Sequence, residues 1–339
     1  MFEILLCFLW ALVISMFAIP SIIYVAERKQ LLNHPNERTT HIVSVPRLGG
    51  LAIFSGFISA IMIFGEVTKE VQYVLASCLV IFYIALKDDL VSVSAFKKFF
   101  VQILATGILV FIGDFRVTSF HGMLNIYQLD LGLSYAFTMV MIVAVTNSIN
   151  LIDGIDGLAG TLVLLIIIII SATLYFYDIE RPMILVAASL AGSLIGFLRY
   201  NLNKANIFMG DAGSLVCGLT VSALLITFIE KVPESNSPVL AMSIVFVPIV
   251  DTLRITVVRI FNGKSPFSSD KNHIHHKLLF AGLGSLSIVI TLCLLDLFVF
   301  VLFFVCSTID INISLFLFIV LLVITILVFQ FLKEKQQQA

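Results

Sequence analysis

Charge is what this chain has least of. Asp, Glu, Lys and Arg make up only 12% of its 339 residues, whereas 60% are hydrophobic. A water-soluble domain carries about twice that charge, so a soluble globular plan is excluded and a polytopic membrane protein is indicated. The formal net charge of −1 singles out no polyanionic partner, and no nucleic acid is expected to bind. Cysteines are few and scattered: Cys7, Cys78, Cys217, Cys293 and Cys306 all sit in apolar runs and none forms a CxxC pair. That excludes a disulfide framework and a Cys-based zinc site, and leaves packing as their role. No polar stretch is long enough for a separate soluble domain, so residues 1–339 read as one integral membrane domain. No basic segment precedes the apolar run that starts at Ile4, and no small-residue cleavage site follows it. The run is expected to be a retained span.

What is abundant is apolar length. Hydrophobic segments recur at 4–26, 48–66, 71–86, 99–113, 133–150, 158–177, 182–199, 212–230, 238–260, 284–306 and 312–332, which predicts an all-α protein of about eleven transmembrane helices. Basic residues set the orientation. Arg28, Lys29, Arg38, Arg47, Lys87, Lys97, Lys98, Arg199, Lys204, Arg254, Arg259, Lys264, Lys271, Lys277, Lys333 and Lys335 fall on one side, against Lys69, Arg116, Arg181 and Lys231 on the other. The richer side is expected to be cytoplasmic, with the N-terminus outside and the C-terminus inside. The same side receives the polar stretches 27–47, 87–98, 147–157, 199–211 and 261–282. On the outer face, alternation within 114–132 predicts a small hairpin.

The stretch Asn147 to Gly160, NSINLIDGIDGLAG, places two amides and two carboxylates at or near membrane depth with no Lys or Arg among them. Such groups are costly there unless they face a wet cavity, a metal or a substrate; a merely acidic loop is the plainer alternative. Spacing of three keeps Asn147, Asn150 and Asp153 on one side of a helix, and their oxygens are hard ligands suited to Mg²⁺ with substrate phosphates. Asp88 and Asp89 end the third span as adjacent carboxylates, which suits a proton-transfer or cation-binding role. Lys97 and Lys98 follow, as membrane anchors, phosphate donors or both. Asp211, in FMGDAGS, opens the eighth span; an N-cap explains the Asp alone, but not Gly210 and Gly213, which admit a phosphate or metal beside a positive helix end. Phe208 offers a ring for stacking and Asn201 a further polar group in the same loop. His273, His275 and His276, with Lys271 and Lys277, lack zinc-site spacing and read as donors for anionic oxygen. Together these groups indicate phosphoryl transfer at a membrane surface.

In order and wording, Asp88-Asp89, NSINLIDGIDGLAG, FMGDAGS and HIHHKL resemble the polyprenyl-phosphate N-acetylhexosamine-1-phosphate transferases of glycosyltransferase family 4, a superfamily that includes phospho-N-acetylmuramoyl-pentapeptide transferase. PRLGGLAIF at 46–54 is similar to that family's second-span entry, and the resemblance covers roughly residues 35–280. It implies transfer of a sugar-1-phosphate, GlcNAc being the commonest, from a UDP-N-acetylhexosamine to undecaprenyl phosphate in a bacterial inner membrane. UMP is released on the cytoplasmic side, and Mg²⁺ is the implied cofactor, with Mn²⁺ as a substitute. The resemblance makes Asp88, Asp89 and Asp211 catalytic, with Asp88 deprotonating or positioning the acceptor phosphate. Asp211 and Asn150 become metal ligands. Asp153, Gly154, Ile155, Asp156, Phe208 and Asn201 become nucleotide-sugar contacts; Lys97, His273, His275 and His276 become phosphate contacts. A homodimer is compatible with it. His-Ile-His-His departs from the three consecutive histidines of the muropeptide enzymes and favours the hexosamine branch. Alternatives are the muropeptide reaction, a CDP-alcohol phosphotransferase (disfavoured because Leu158-Ala159-Gly160 supplies no arginine), and a secondary transporter using Asp251 and Asp296 as intramembrane proton sites. Asp251 lies three residues from Arg254 and can pair locally; Asp296 stands alone.

Overall fold

The computed structural model describes residues 1–31, 45–179, 181–202, 204–234, 236–261, 263 and 273–337. Lys264, Lys271 and the chain between them lie outside those residues, as does Arg38. Among the described residues there are helices and no strands. In chain order they are α1 (Phe2–Arg28), α2 (Gly49–Phe64), α3 (Lys69–Leu90), α4 (Ala95–Gly107, continued by a π-helical turn to Ile112), α5 (Leu131–Ile152), α6 (Leu158–Phe176), α7 (Arg181–Asn201), α8 (Gly210–Lys231), α9 (Ser237–Ile244), α10 (Phe246–Phe261), α11 (Ile274–Phe280), α12 (Ser285–Val305) and α13 (Ile311–Gln337).

Among the described residues nine helices are long and apolar enough to cross a membrane, so the chain is a multi-pass membrane protein. The eleven expected apolar runs are all helical, and two of them differ from a single straight span. The run 238–260 is not one straight span: α9 and α10 meet at Val245 with a bend of 77°. Counting that pair as one span gives ten. The run 48–66 yields α2, only 16 residues long, because Leu48 and Gly49 are already committed to contacts at its start.

α2, α3, α5, α6, α7 and α9 pack around α8. Every residue from Ala212 to Ile229 is buried, as a helix apolar on all faces must be. Small residues let its neighbours come close. Gly50 of α2 and Gly213 of α8 bring backbone against backbone, Gly213 Cα lying 2.7 Å from where a Gly50 Cβ would stand. Gly49 N and Gly50 N donate to Phe208 O and Met209 O at 2.9 and 2.8 Å, and Phe208 N donates to Pro46 O at 2.9 Å. The strand-like segment before α2 is thereby stitched to the approach of α8.

The segment 114–130 doubles back as a small hairpin-like turn without extended strands, joined by an antiparallel bridge, Ser119 to Gln128, and by bonds from Phe120 N to Tyr127 O and Leu129 N to Thr118 O at 2.9 Å. Left-handed backbone at His121, Gly122, Leu124 and Asn125 makes the reversal. Glu230, at the far end of α8, accepts from Thr118 N and Oγ1 at 2.8 and 2.6 Å, and Asn312 Oδ1 accepts from Leu124 N at 2.7 Å. At the opposite end of the bundle lie the C-terminal ends of α3, α5, α7 and α10 and the N-terminal ends of α4 and α8.

Candidate active site

Those helix ends converge on one charged cluster. Asp88, in the last turn of α3, accepts from Val93 N at 2.6 Å through Oδ1 and from Lys98 Nζ at 3.0 Å through Oδ2. Lys98, in the first turn of α4, also donates to Asp211 Oδ2. The Asp211 Oδ1 accepts from Asn150 Nδ2 at 3.0 Å, and the same nitrogen reaches Ser214 Oγ at 2.8 Å. One ammonium therefore bridges carboxylates from α3 and α8 that are 123 positions apart in sequence, and an amide from α5 steadies the second of them. Each side chain reaches this point because its helix ends there, so the polar groups emerge where the apolar spans stop.

Asp89 has a different task from its neighbour. Its Oδ1 accepts from Asp211 N at 2.8 Å and its Oδ2 from Ala212 N at 2.9 Å. The carboxylate caps α8, satisfying two of the amides that a helix start leaves open and lying at the positive end of the helix dipole. Gly210, at φ +72°, permits this: a Cβ there would meet Asp89 Oδ2 at 2.7 Å. Of the two expected catalytic acids, Asp89 thus has both oxygens engaged by the first amides of α8 and positions Asp211.

The expectation for Lys97 is also corrected. Lys97 is exposed, and it is Lys98 that reaches the carboxylates. Adjacent residues of a helix point about 100° apart, so only one of the two could face the cluster. Asn147 is turned aside too, donating to Val143 O at 2.8 Å and Gln102 Oε1 at 3.2 Å.

Beside the cluster lies the turn between α5 and α6. Asn201 is buried and ties it down, accepting from Gly157 N and donating to Ile207 O, both at 2.8 Å. Asp156, also buried, accepts from Ala205 N at 3.0 Å. These two, expected to touch a nucleotide sugar, tie the α5–α6 turn that carries Asp153 and Gly154 to the α7–α8 connection that carries Phe208. Gly157 sits at φ +77°, where a side chain is disfavoured. Asp153 is half-buried, and loss of hydration pushes its carboxyl up to about 7; negative Asp89 and Asp156 add to the rise and Arg47 opposes it. Ile155 is buried and Phe208 half-buried.

The histidines arrive on α11, a helix of one turn or two that Asp251 of α10 holds in place. Asp251 Oδ2 is 2.7 Å from His273 Nδ1, its Oδ1 accepts from Ile274 N at 2.8 Å, and Arg254 lies 3.5 Å from it. His273 is thus a strut and not a free phosphate donor, and Lys277 turns away to Phe329 O of α13 at 2.8 Å. His275 packs its ring on Gly154, where a Cβ would fall 2.8 Å from Cε1. It is 1% exposed, neither ring nitrogen has a hydrogen-bond partner among the described residues, and burial, aided by His276, drives its pKa down to about 3. At neutral pH it offers a hydrogen bond and no charge. His276 is half-buried, its ring 4.4 Å from that of His275.

No group of three or more His, Cys, Asp or Glu side chains close enough to share an ion occurs among the described residues. Mg²⁺ does not need one, because it keeps waters and is held by one or two carboxylates together with substrate phosphates. The cluster fits such an ion. Asp88 and Asp211 already converge on one cation, the Lys98 ammonium, and the donors are hard oxygens. Asn150 turns its nitrogen to Asp211, and its amide oxygen is a hard donor of the kind that would complete such a site. Lys98, offered with Lys97 as an anchor or phosphate donor, and Arg47, beside Asp89 and Asp153, are the cations at the cluster that residue types alone did not separate from their neighbours. The signal for Lys98 was present in the position, at the mouth of α4, but not in the sequence pattern.

Residues 71–229 match the family model described as Glycosyl transferase family 4. Among curated proteins, the chain is 34% identical to the decaprenyl-phosphate N-acetylglucosaminephosphotransferase of Mycobacterium leprae, over 86% of this chain and 81% of that protein. It is 31% identical to the probable undecaprenyl-phosphate N-acetylglucosaminyl 1-phosphate transferase of Bacillus subtilis, over 87% and 82%. It is 27% identical to the undecaprenyl-phosphate alpha-N-acetylglucosaminyl 1-phosphate transferase of Escherichia coli K12, over 80% and 75%.

Proposed function

The chain belongs to glycosyl transferase family 4, as a phosphoglycosyltransferase, and from that membership we propose that it moves N-acetylglucosamine 1-phosphate from UDP-N-acetylglucosamine to undecaprenyl phosphate. UMP leaves at the cytoplasmic face of a bacterial plasma membrane, and the lipid diphosphate sugar starts a cell-envelope glycan. The observation that carries this reading is the Asp88–Lys98–Asp211–Asn150 cluster at the end of the bundle where the basic residues collect. It supports a cytoplasmic site within a single membrane domain.

In this reaction an oxygen of the lipid phosphate attacks the sugar-linked phosphorus. A new P–O bond forms there, and the bond from that phosphorus to the bridging oxygen breaks as UMP departs. A monoester phosphate with a second pKa of about 6 is mostly dianionic at neutral pH, so no base is required. Asp88, with both oxygens engaged, positions Lys98, and Lys98 holds phosphate oxygen. Asp211, with Asn150 Oδ1, would hold Mg²⁺ or Mn²⁺, which when bound neutralises and polarises the diphosphate. Asp153 and the Gly154 backbone face the nucleotide, the Phe208 ring supports the uracil, and His275 and His276 donate hydrogen bonds near the diphosphate.

For the acceptor chain the structure offers an apolar groove of about 240 Å³ between α5, α9 and α10. Its lining runs from Phe137 to Ser148 along α5 and from Ile249 to Leu253 along α10. Ser148 and Thr252 in that lining stand two residues and one residue from Asn150 and Asp251 in the sequence. The transporter reading loses its two intramembrane acids, since Asp251 holds α11 and Asp296 caps α10 through Val247 N at 2.9 Å. The muropeptide reaction is not favoured either, the relatives above being named for N-acetylglucosamine.

Purified protein in detergent, given undecaprenyl phosphate, Mg²⁺ and a panel of UDP-sugars, is expected to release UMP with UDP-N-acetylglucosamine. Turnover should stop on chelation and return with Mg²⁺. Absence of UMP with every UDP-N-acetylhexosamine would overturn the assignment. In the same assay Lys98→Gln should slow turnover roughly a hundredfold, the scale for losing one charged donor at a reacting phosphate. Lys97→Gln, one residue away but exposed, should stay within about twofold of wild type.

A further inference from the structure

Asp296 sits at the twelfth of 21 positions in α12, mid-span, and is fully buried. No cationic side chain pairs with it among the described residues, and its Oδ2 has no hydrogen-bond partner there. A lone carboxyl at that depth is costly, and nothing in the transfer chemistry uses it. What it touches is the break between α9 and α10. Its Oδ1 accepts from Val247 N at 2.9 Å, and the Phe246 amide also points to it. Pro248 is the third residue of α10 and has no N–H to offer. Phe246 and Val247 therefore carry the open amides of a helix start lodged in an apolar medium, where a backbone donor without a partner is not tolerated. Asp296 is the group that satisfies them, and without it the 77° bend would have to relax or shift.

Both halves of the bent pair wall the apolar groove: Met242 from α9, Ile249 and Leu253 from α10. Their separation depends on the angle at Val245. We propose that Asp296 is a positioning residue for the lipid acceptor, which fixes the α9–α10 bend from the neighbouring helix and so sets the shape of the groove that takes the polyprenyl chain. This rests on the reading of the chain as a polyprenyl-phosphate transferase. Among the described residues the hydrogen bonds of Asp296 go to the start of α10 and none goes to Asp88, Lys98, Asn150 or Asp211.

The test is a split of kinetic constants in the purified full chain. Asp296→Leu should raise KM for undecaprenyl phosphate about tenfold while leaving KM for UDP-N-acetylglucosamine unchanged. Asp296→Asn retains an acceptor for Val247 N and should restore the lipid KM to within about threefold. A farnesyl phosphate acceptor, too short to fill the groove, should not distinguish the three proteins. Unchanged lipid KM in a folded Asp296→Leu protein, or equal rises in both KM values, would overturn the proposal. Should that variant fail to fold, Asp296→Glu decides: it keeps the carboxyl group but displaces the acceptor by one methylene, and a wild-type lipid KM would sink the idea. Wild-type protein inactive with every UDP-sugar marks failure of the activity assignment, whereas an active wild type with unmoved lipid KM in the variants marks failure of this inference alone.

Discussion

Asp211→Asn should lower UMP release by roughly a thousandfold or more, the upper range for removing one electrostatic group from a preorganised site. Three contacts meet on this residue. Its backbone N–H is held by Asp89, its Oδ1 by Asn150 and its Oδ2 by Lys98. The amide variant keeps the first, because Asp89 binds the backbone, and it keeps an oxygen for Asn150. It loses the charge that draws a divalent ion and the Lys98 ammonium to one place. The fold should therefore survive while the chemistry does not, and thermal unfolding of the variant should lie within a few degrees of wild type. Asp89→Ala makes the contrast. It strips two amides of their cap at a cost of about 1–3 kcal/mol, so melting temperature and turnover should fall together. If Asp211→Asn retained more than a tenth of wild-type turnover, Asp211 would not be the ion's ligand, and the cluster would be an ion-pair network of structural use only. Equal melting temperatures for Asp89→Ala and wild type would likewise remove the capping role.

Much of this site could be read along the chain because membrane burial is so restrictive. Asp88, Asn150 and Asp211 stand out where apolar spans stop, and nothing polar persists there without a partner. Residue type gave them away, and their order matched a known family. Rotation about a helix axis was another matter. Lys97 and Lys98 are equivalent in a hydropathy profile, and only the packing of α4 on α3 shows that Lys98 faces inward. Asp89, Asn201, Asp156 and His273 were legible as polar groups near a site but not as its scaffolding, since capping partners such as Ala212 N and Ala205 N are backbone atoms with no signature in the sequence. The break at Val245 did leave a trace: Pro248 is a helix-start signal inside a run that hydropathy alone made continuous. Asp296 had no account until the amides it caps were visible, forty-nine residues upstream.

Gly50→Ala should damage the fold severely with a single methyl. The new Cβ would overlap Gly213 N outright and stand 2.7 Å from Ala212 C and from Gly213 Cα. All three are backbone atoms of the first turn of α8, so no side chain can swing aside. The helices must move apart instead, and separation strains the bonds from Gly49 N and Gly50 N to Phe208 O and Met209 O. Losing those two bonds at about 1–3 kcal/mol each, on top of roughly 1–3 kcal/mol for overpacking, removes a large share of the ~5–15 kcal/mol that holds a typical domain folded. Whatever fold remains has Asp211, one residue before Ala212, displaced from Asp89 and Lys98. The expected result is a sharp drop in monodisperse protein on size exclusion and a melting temperature lower by ten degrees or more, about what such a loss implies. Gly284→Ala is the matched control: it starts α12 at φ −73° with nothing within 4 Å of the added carbon, and should purify and turn over as wild type does. A Gly50→Ala protein with an unchanged melting temperature would mean that α2 and α8 do not meet backbone to backbone. The placement of Asp211 against Asp89 and Lys98, which depends on that contact, would then have to be abandoned with it.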